Sequence, residues 1–165
     1  MRRKMQEETG PNRHKGGENL SVLFSSNRID MSTHGSFEYV DMTQTIKNEI
    51  KKSRIRNGIV QVNVLHTTAA VVVQEADTTI HEDAEIVLKN LIPSNGSYRH
   101  SYEGTVNGAA HQRQQILGNF CGLTVKNGEL VLGTWQHVFL VELFRPMTRH
   151  VQITILGTAD QVAKQ

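Results

Sequence analysis

The sequence has little of what holds small secreted domains together or carries a chain through a membrane. Cys121 is the only cysteine among 165 residues, so no intrachain disulfide can form and a reducing compartment is expected. No apolar run approaches the roughly 20 residues of a membrane helix. The basic residues 2–4 are not followed by the apolar stretch of a secretory signal. We therefore expect a cytoplasmic protein with no membrane partner.

Several nucleotide and metal motifs are also missing. The sequence contains no Walker loop, no GxGxxG fingerprint and no HExxH helix, which argues against the common nucleotide folds and zincin-type proteases. The formal net charge is only +2. Residues 1–19 account for all of it, because the rest of the chain carries 13 charges of each sign. Nucleic-acid-binding domains usually show a clustered basic face, so we expect no nucleic-acid partner.

The length suits one domain preceded by a tail. Residues 1–19 are polar and contain Gly10-Pro11 and Gly16-Gly17, which predicts a flexible N-terminal arm. Residues 20–165 are predicted to form a single domain. A chain of this size can bury about two-thirds of its unfolded surface, so it needs neither a disulfide nor a structural metal to fold.

Hydrophobic periodicity predicts many short strands and two main helices. One helix is expected over residues 43–56, capped by Thr43 and stopped at Asn57-Gly58. The other is expected over 78–90 with Asp77 as its cap. A short helix over 109–117 would close at Gly118. Strands are predicted at 21–25, 123–125, 129–132, 137–144 and 150–156, with a hairpin at Asn127-Gly128, and residues 34–40 as a turn followed by a strand. Residues 59–65 and 66–75 are predicted to be consecutive strands or one bent strand, with residues 66–68 at the corner. This order favours an α+β, mostly antiparallel domain.

Three of the eight histidines stand beside small polar residues at predicted element boundaries: His66, His100 and His111. Two of them lie in the segment 98–118, which has little apolar periodicity before its end and is interpreted as functional. Neutral imidazoles ligate divalent metals, and catalytic zinc sites use three protein ligands. Histidine also transfers protons near neutral pH. The alternative is that each is a hydrogen-bonded structural histidine.

Other residues suit the binding of an anion. The hydroxyls of Thr67, Thr68 and Thr134 can donate to phosphate oxygens, and Arg145 and Arg149 can grip them bidentately. The alternative for Gly133-Thr-Trp-Gln136 is a bulge before a strand, with Trp135 in the core.

Taken together, these motifs resemble one protein family. His66-Thr-Thr-Ala-Ala70, Tyr98-x-His100, Ala110-His111 and Gly133-Thr-Trp-Gln136 occur in the order and spacing of the YjbQ family, also named secondary thiamine-phosphate synthase. The resemblance covers residues 20–158. It also includes Glu103-Gly104, Asn107, Leu117-Gly118, Glu142 and Arg145-Pro146.

The resemblance implies a β-sandwich-like α+β domain that assembles as a homotrimer. It implies a weak transferase activity that joins hydroxymethylpyrimidine diphosphate to thiazole phosphate and releases pyrophosphate. A divalent metal, Mg²⁺ for activity or bound Zn²⁺, would be held by His66, His100 and His111. Those histidines and Glu103 would be catalytic. The residues expected to bind the small phosphorylated substrate are Thr67, Thr68, Asn107, Thr134, Trp135, Gln136, Arg145 and Arg149.

One position departs from the family pattern. Val106 stands where the family commonly has an acidic residue before Asn107, and a valine cannot ligate a metal. We therefore expect weak metal binding or the use of Glu103 instead. Two alternatives to an enzyme stay open, a non-catalytic binding protein for a small phosphorylated metabolite and a structural homotrimer.

Overall fold

Residues 21–159 are described by a computed structural model, and the predicted N-terminal arm, residues 1–19, lies outside them. Strands and helices alternate irregularly along this part of the chain. None of its helices is long and apolar enough to cross a bilayer. The elements are β1 (Val22–Ser32), β2 (Tyr39–Asp41), α1 (Thr43–Ser53), β3 (Asn57–Val64), β4 (Ala69–Glu75), α2 (Thr78–Leu91), α3 (Thr105–Leu117), β5 (Phe120–Lys126), β6 (Glu129–Leu130), β7 (Gln136–Glu142) and β8 (Thr148–Thr158).

The strands form two sheets. The larger has the order β1-β8-β3-β5-β6 and the smaller the order β2-β7-β4. Every strand pair in both sheets is antiparallel. The predicted α+β, mostly antiparallel class is therefore confirmed. The helices number three in the described residues rather than two main ones, because α3 is as substantial as its neighbours.

The main core lies between the two sheets and α1. Side chains alternate along a strand, and in β3 the valines at 60, 62 and 64 point inward while Ile59 faces solvent. Ile153 in β8 and Ile46 and Ile50 in α1 belong to the same cluster, as does Leu140 from the small sheet. The consecutive strands β3 and β4 belong to different sheets, so residues 65–68 form the crossover between the layers.

The ends of the helices test the capping predictions. Asp77 caps α2, since its carboxylate accepts the amide of Thr79 at 2.8 Å. The predicted Thr43 cap is wrong, because its hydroxyl accepts the amide of Val138 on β7 at 2.9 Å. The carboxylate of Asp41 accepts the Thr43 amide instead, at 2.8 Å. A long-range contact has replaced the local one.

Of the two turns predicted at Asn-Gly pairs, one is wrong and one is confirmed. Helix α1 ends at Ser53, and Arg54 takes the left-handed conformation with φ of 60°, so the predicted stop at Asn57-Gly58 is wrong. Those two residues begin β3. The hairpin at Asn127-Gly128 is confirmed, with φ values of 55° and 79° joining β5 to β6.

The segment predicted to be irregular, 98–118, is helical over its second half. Helix α3 starts at Thr105, four residues before the predicted start, and buries residues of several kinds, among them Asn107, Gly108 and Arg113. A helix buried on more than one side does not show a single apolar stripe. Its start was therefore not visible in the hydrophobic periodicity.

The core assignment predicts that alanine substitutions at Ile153 and Leu156, both on β8, differ strongly in their cost in unfolding free energy. Replacing Ile153, which is 2% exposed, with alanine should lower the free energy of unfolding by about 2–5 kcal/mol, since a cavity remains. The matched change Leu156→Ala, at a position 43% exposed on the opposite face, should cost about 1 kcal/mol or less. Urea denaturation of both variants measures this. Equal costs would contradict the inward face assigned to β8.

Candidate functional site

A cavity of 340 Å³ opens where three segments of the chain meet. The crossover between β3 and β4 forms one wall, and the turn between β7 and β8 forms another. The N-terminal half of α3 closes the third side. The lining residues are Leu65, His66, Thr67, Thr68, Glu103, Asn107, His111, Phe144, Arg145, Met147 and Arg149.

The floor of the cavity is a buried ion pair between Glu142 and Arg149. The two side chains are 0% and 1% exposed. Arg149 Nε donates to Glu142 Oε2 at 2.7 Å, and Nη2 donates to the other carboxylate oxygen and to the Thr68 hydroxyl, the latter at 3.1 Å. The guanidinium fork predicted to grip a substrate anion is therefore occupied by Glu142. The role of Arg149 is to hold the cavity together.

Two further hydrogen bonds are donated to the Glu142 carboxylate. Its carboxylate accepts the hydroxyl of Thr33 at 2.8 Å and the amide of Phe144 at 2.9 Å. A buried charge is tolerated when its partners satisfy it fully. Sequence reasoning did not assign this role to Glu142. The signal was a single carboxylate inside the apolar run 138–144.

His66 presents a fixed tautomer to the cavity. Its Nε2 accepts the backbone N–H of His150 at 3.0 Å, so that nitrogen carries no proton and Nδ1 carries the N–H. Burial lowers the pKa of His66, and the charges of Arg149 and His150 lower it further. His150 is itself held by Asp30, whose Oδ1 lies 2.7 Å from His150 Nδ1. His66 is thus a neutral hydrogen-bond donor.

His111, on α3, also lines the cavity and also favours the neutral form. Burial lowers its pKa and nearby His100 lowers it further, while a hydrogen bond with the Thr67 backbone opposes the shift. The rings of His100 and His111 lie edge to face with centroids 4.7 Å apart. Gly108 permits this approach, since a Cβ there would lie 2.6 Å from the His100 carbonyl oxygen. His100 contacts His111 but does not line the cavity.

The predicted three-histidine metal site is not assembled. Within residues 21–159, no three His, Cys, Asp or Glu side chains are grouped as a metal ion requires. The reasons are geometric, because His66 has committed Nε2 to a backbone amide and His100 lies outside the cavity lining. The residues present in one chain do not fit a resident zinc ion.

The first turn of α3 adds donors without an acid to cap them. Gly104 is the N-cap residue, and it has no side chain to accept the free amides of that turn. Such a helix end carries a partial positive charge. Asn107, 4% exposed, lines the cavity with its Oδ1 unpartnered by any described residue. Of this turn, Asn107 lines the cavity and offers it one unsatisfied acceptor.

Arg145 is the exposed cation of the cavity. Its Nη2 donates to Glu103 Oε2 at 3.1 Å, and both side chains are more than half exposed. The guanidinium also lies 4.8 Å from the ring centroid of Phe144. An exposed pair of this kind contributes only about 0–1 kcal/mol, so Arg145 can turn from Glu103 to a ligand at low cost.

Thr134, Trp135 and Gln136 do not reach this cavity in one chain. Gln136 begins β7 and Glu142 ends it, so the two ends lie about 20 Å apart. Trp135 is 69% exposed, which overturns the alternative that placed it in the core. It lines a separate groove of 430 Å³ beside Glu75 and Asp77.

Comparison with known proteins agrees with the motifs. Residues 27–158 match the family model described as UPF0047 protein YjbQ-like. A UPF0047 protein of Methanocaldococcus jannaschii is 34% identical over 139 residues, covering 84% of this chain and 96% of that protein. A UPF0047 protein of Methanothermobacter thermautotrophicus is 32% identical over 129 residues, covering 78% and 90%.

Solved structures agree as well. A YbjQ-like protein of unknown function from Sulfolobus solfataricus superposes with a TM-score of 0.79 at 36% identity, covering 83% of this chain and 99% of its own. A hypothetical protein from Aeropyrum pernix gives 0.75 at 30% identity, with coverage of 81% and 98%. None of these four names states an activity.

The two Arg–Glu pairs predict opposite results for the same substitution. Glu142→Gln should lower the free energy of unfolding by about 3–5 kcal/mol, because Arg149 then remains charged and buried without a counterion. Glu103→Gln, in the exposed pair with Arg145, should change it by about 1 kcal/mol or less. Thermal and urea unfolding measure both. A mild effect at Glu142 would show that the pair is not buried in solution.

The tautomer of His66 gives a second prediction. In nitrogen NMR spectra at pH 8, Nδ1 should show the shift of a protonated nitrogen and Nε2 that of an unprotonated one. Because the folded-state pKa is lowered, His66 contributes stability that is present above the ordinary pKa of about 6.5 and is lost as pH falls below it. A spectrum with the proton on Nε2 would contradict the contact with His150.

Proposed function

The chain belongs to the YjbQ-like UPF0047 family, and on that premise we propose that its cavity binds a small phosphorylated metabolite and catalyses a weak thiamine-phosphate synthase reaction. The enzyme would be a transferase. The observation that carries the proposal is that the neutral donor His66, the exposed Arg145 and the α3 residues Asn107 and His111 line one cavity. Helix N-termini and arginine are recurring partners of phosphate groups.

The proposed reaction makes one carbon–nitrogen bond and breaks one carbon–oxygen bond. The thiazole nitrogen attacks the methylene carbon of hydroxymethylpyrimidine diphosphate, and the bonding electrons leave with the pyrophosphate oxygen. Negative charge therefore builds on the leaving group. Donors fixed in advance around that position stabilise the transition state most effectively. The α3 amides, Arg145 and the Nδ1–H of His66 are the groups we assign to it.

Thr67, Asn107 and His111 are assigned to positioning. Thr67 and His111 both line the cavity and are linked by a hydrogen bond between the His111 ring and the Thr67 backbone. The unpartnered Oδ1 of Asn107 is an acceptor, so it suits an N–H or O–H group of the ligand rather than its phosphate. Thr68 is already bonded to Arg149, and we assign it to the framework of the site.

In this proposal, Mg²⁺ binds together with the diphosphate substrate and is not a resident ion. Mg²⁺ keeps several waters and binds through one or two carboxylates together with substrate phosphates. Glu103 is the exposed carboxylate among the lining residues. We assign to Glu103 the metal-binding role expected of the acidic residue that the family commonly has at the position of Val106. Binding of the metal complex would break the Glu103–Arg145 pair and free Arg145 for phosphate.

Two other functions remain as alternatives. A non-catalytic binding protein would use the same donors without turnover. A structural homotrimer would use its histidines to join subunits. The homotrimer expected from the resemblance stays a prediction for either case.

The proposal is tested by pyrophosphate release. Purified protein with both substrates and Mg²⁺ should release pyrophosphate slowly, and release should require both substrates. His111→Ala and Arg145→Met should each lower kcat/KM about tenfold or more, since the first removes a positioning residue and the second a phosphate donor. Calorimetry with pyrophosphate should show the same order of loss. The control His34→Ala, at an exposed residue bonded to Glu38 outside the cavity, should behave as the wild type.

The outcomes separate the three functions. Saturable binding of pyrophosphate without release would favour the binding protein. A protein that binds neither substrate nor pyrophosphate, and that dissociates below about pH 6 as its imidazoles become charged, would favour the structural homotrimer. Normal turnover by both His111→Ala and Arg145→Met would refute the assignment of the reaction to this cavity.

A further inference from the structure

Trp135 is an exposed aromatic residue that lines a groove. Its side chain is 69% exposed. Glu75, Asp77, His137 and neighbouring backbone complete this feature, here named the Trp135 groove, with a volume of 430 Å³. Glu75 and Asp77 give it a negative charge. Tryptophan is among the residues most enriched where proteins bind one another tightly.

The Trp135 groove and the cavity lie at opposite ends of the small sheet. In the pairing of β4 with β7, Glu75 faces Gln136 at one end and Ala69 faces Glu142 at the other. Six residues of extended strand separate these pairs, or about 20 Å. No side-chain rotation can bring Trp135 over the cavity of its own chain.

The cavity itself is open and incomplete for two substrates. At 340 Å³ it lies near the lower end of the range of about 300–1,000 Å³ for ligand pockets, yet the proposed reaction places two ring systems side by side. The aromatic ring among its lining residues, Phe144, is covered on one face by the Arg145 guanidinium. Of the nearby apolar side chains, the lining residue Leu65 is 50% exposed, and Val106, next in sequence to the lining residue Asn107, is 41% exposed.

We propose that the Trp135 groove of one copy of this chain docks on the cavity of a second copy, so that Trp135 completes the ligand site of its neighbour. The charges are complementary, because Glu75 and Asp77 would approach the exposed Arg145 and the positive end of α3. The indole would cover the exposed Leu65 and Val106. It would also supply an aromatic face for a substrate ring. This inference rests on the proposed function of the cavity.

The placement of the two surfaces dictates the kind of assembly. They are different surfaces at opposite ends of one sheet, so each copy gives its groove to one neighbour and its cavity to another. Such a head-to-tail contact closes into a ring when the rotation between copies allows it. In a closed ring, every ligand site then consists of the cavity of one chain and the Trp135 groove of its neighbour.

Subunit complementation tests the proposal. Trp135→Ala removes the contribution of the groove, and His111→Ala removes that of the cavity. Each variant alone should lose pyrophosphate release at least about tenfold. When the two are coexpressed with different tags and purified through both, about one third of the sites in a ring of three should combine an intact groove with an intact cavity. Activity should therefore return in the mixed assembly.

A matched mixture controls for the mixing itself. His111→Ala coexpressed with His66→Ala should not recover, because both changes damage the cavity and neither kind of chain then supplies an intact one. Trp135→Phe should keep most of the activity, since it retains an aromatic face. Light scattering reports on assembly independently of activity, and a lower mass for Trp135→Ala would support the interface.

The result that overturns the inference differs from failure of the proposed function. An assembled Trp135→Ala protein with wild-type activity would overturn it. So would an inactive Trp135→Ala protein that assembles with His111→Ala but does not recover activity in the mixed assembly. If the wild type neither binds pyrophosphate nor releases it, the proposed function has failed, and the mass of Trp135→Ala alone then decides whether the groove is an interface.

Discussion

The buried pair of Glu142 and Arg149 is the interaction on which the cavity depends. It joins the end of β7 to the start of β8, and through Thr68 it fixes the crossover between the two sheets. Thr33 ties the loop after β1 to the same carboxylate. Removing a charge from water costs several kcal/mol, which only a complete set of partners offsets. His66 in the crossover can therefore hold its position only while this network is intact.

Helix α3 is also held in place, by the close packing of its small residues and by the buried Arg113. Its small residues, Gly108, Ala109 and Ala110, are buried, so the helix lies close to the small sheet and to the segment carrying His100. Arg113 is fully buried with its guanidinium 4.9 Å from the Phe37 ring centroid and one nitrogen bonded to the Ile92 carbonyl. A helix anchored at its middle in this way holds Asn107 and His111 in fixed positions in the cavity wall.

Local signals in the sequence were sufficient where the structure depends on local contacts. The cap at Asp77, the hairpin at Asn127-Gly128 and the alternation in β3 are all short-range features, and all were predicted. The gathering of His66, Glu103 and His111 in one cavity was expected only from the resemblance, since their spacing shows no compact signature. The role of Arg149 could not be predicted, because its partner Glu142 lies across a turn in an adjacent strand and competes with any ligand. The start of α3 was missed because a helix buried on several sides shows no single apolar stripe.

The two arginines of the cavity show why residue type alone does not assign a function. Both are paired with a glutamate, but one pair is inaccessible and the other is more than half exposed. The buried pair cannot exchange its partner without leaving a charge in the protein interior, so it serves the fold. The exposed pair contributes about 1 kcal/mol at most, and a phosphate can replace Glu103 as the partner of Arg145. Because the nearby histidines favour their neutral forms, selectivity for an anion then rests on aligned hydrogen-bond donors more than on net charge.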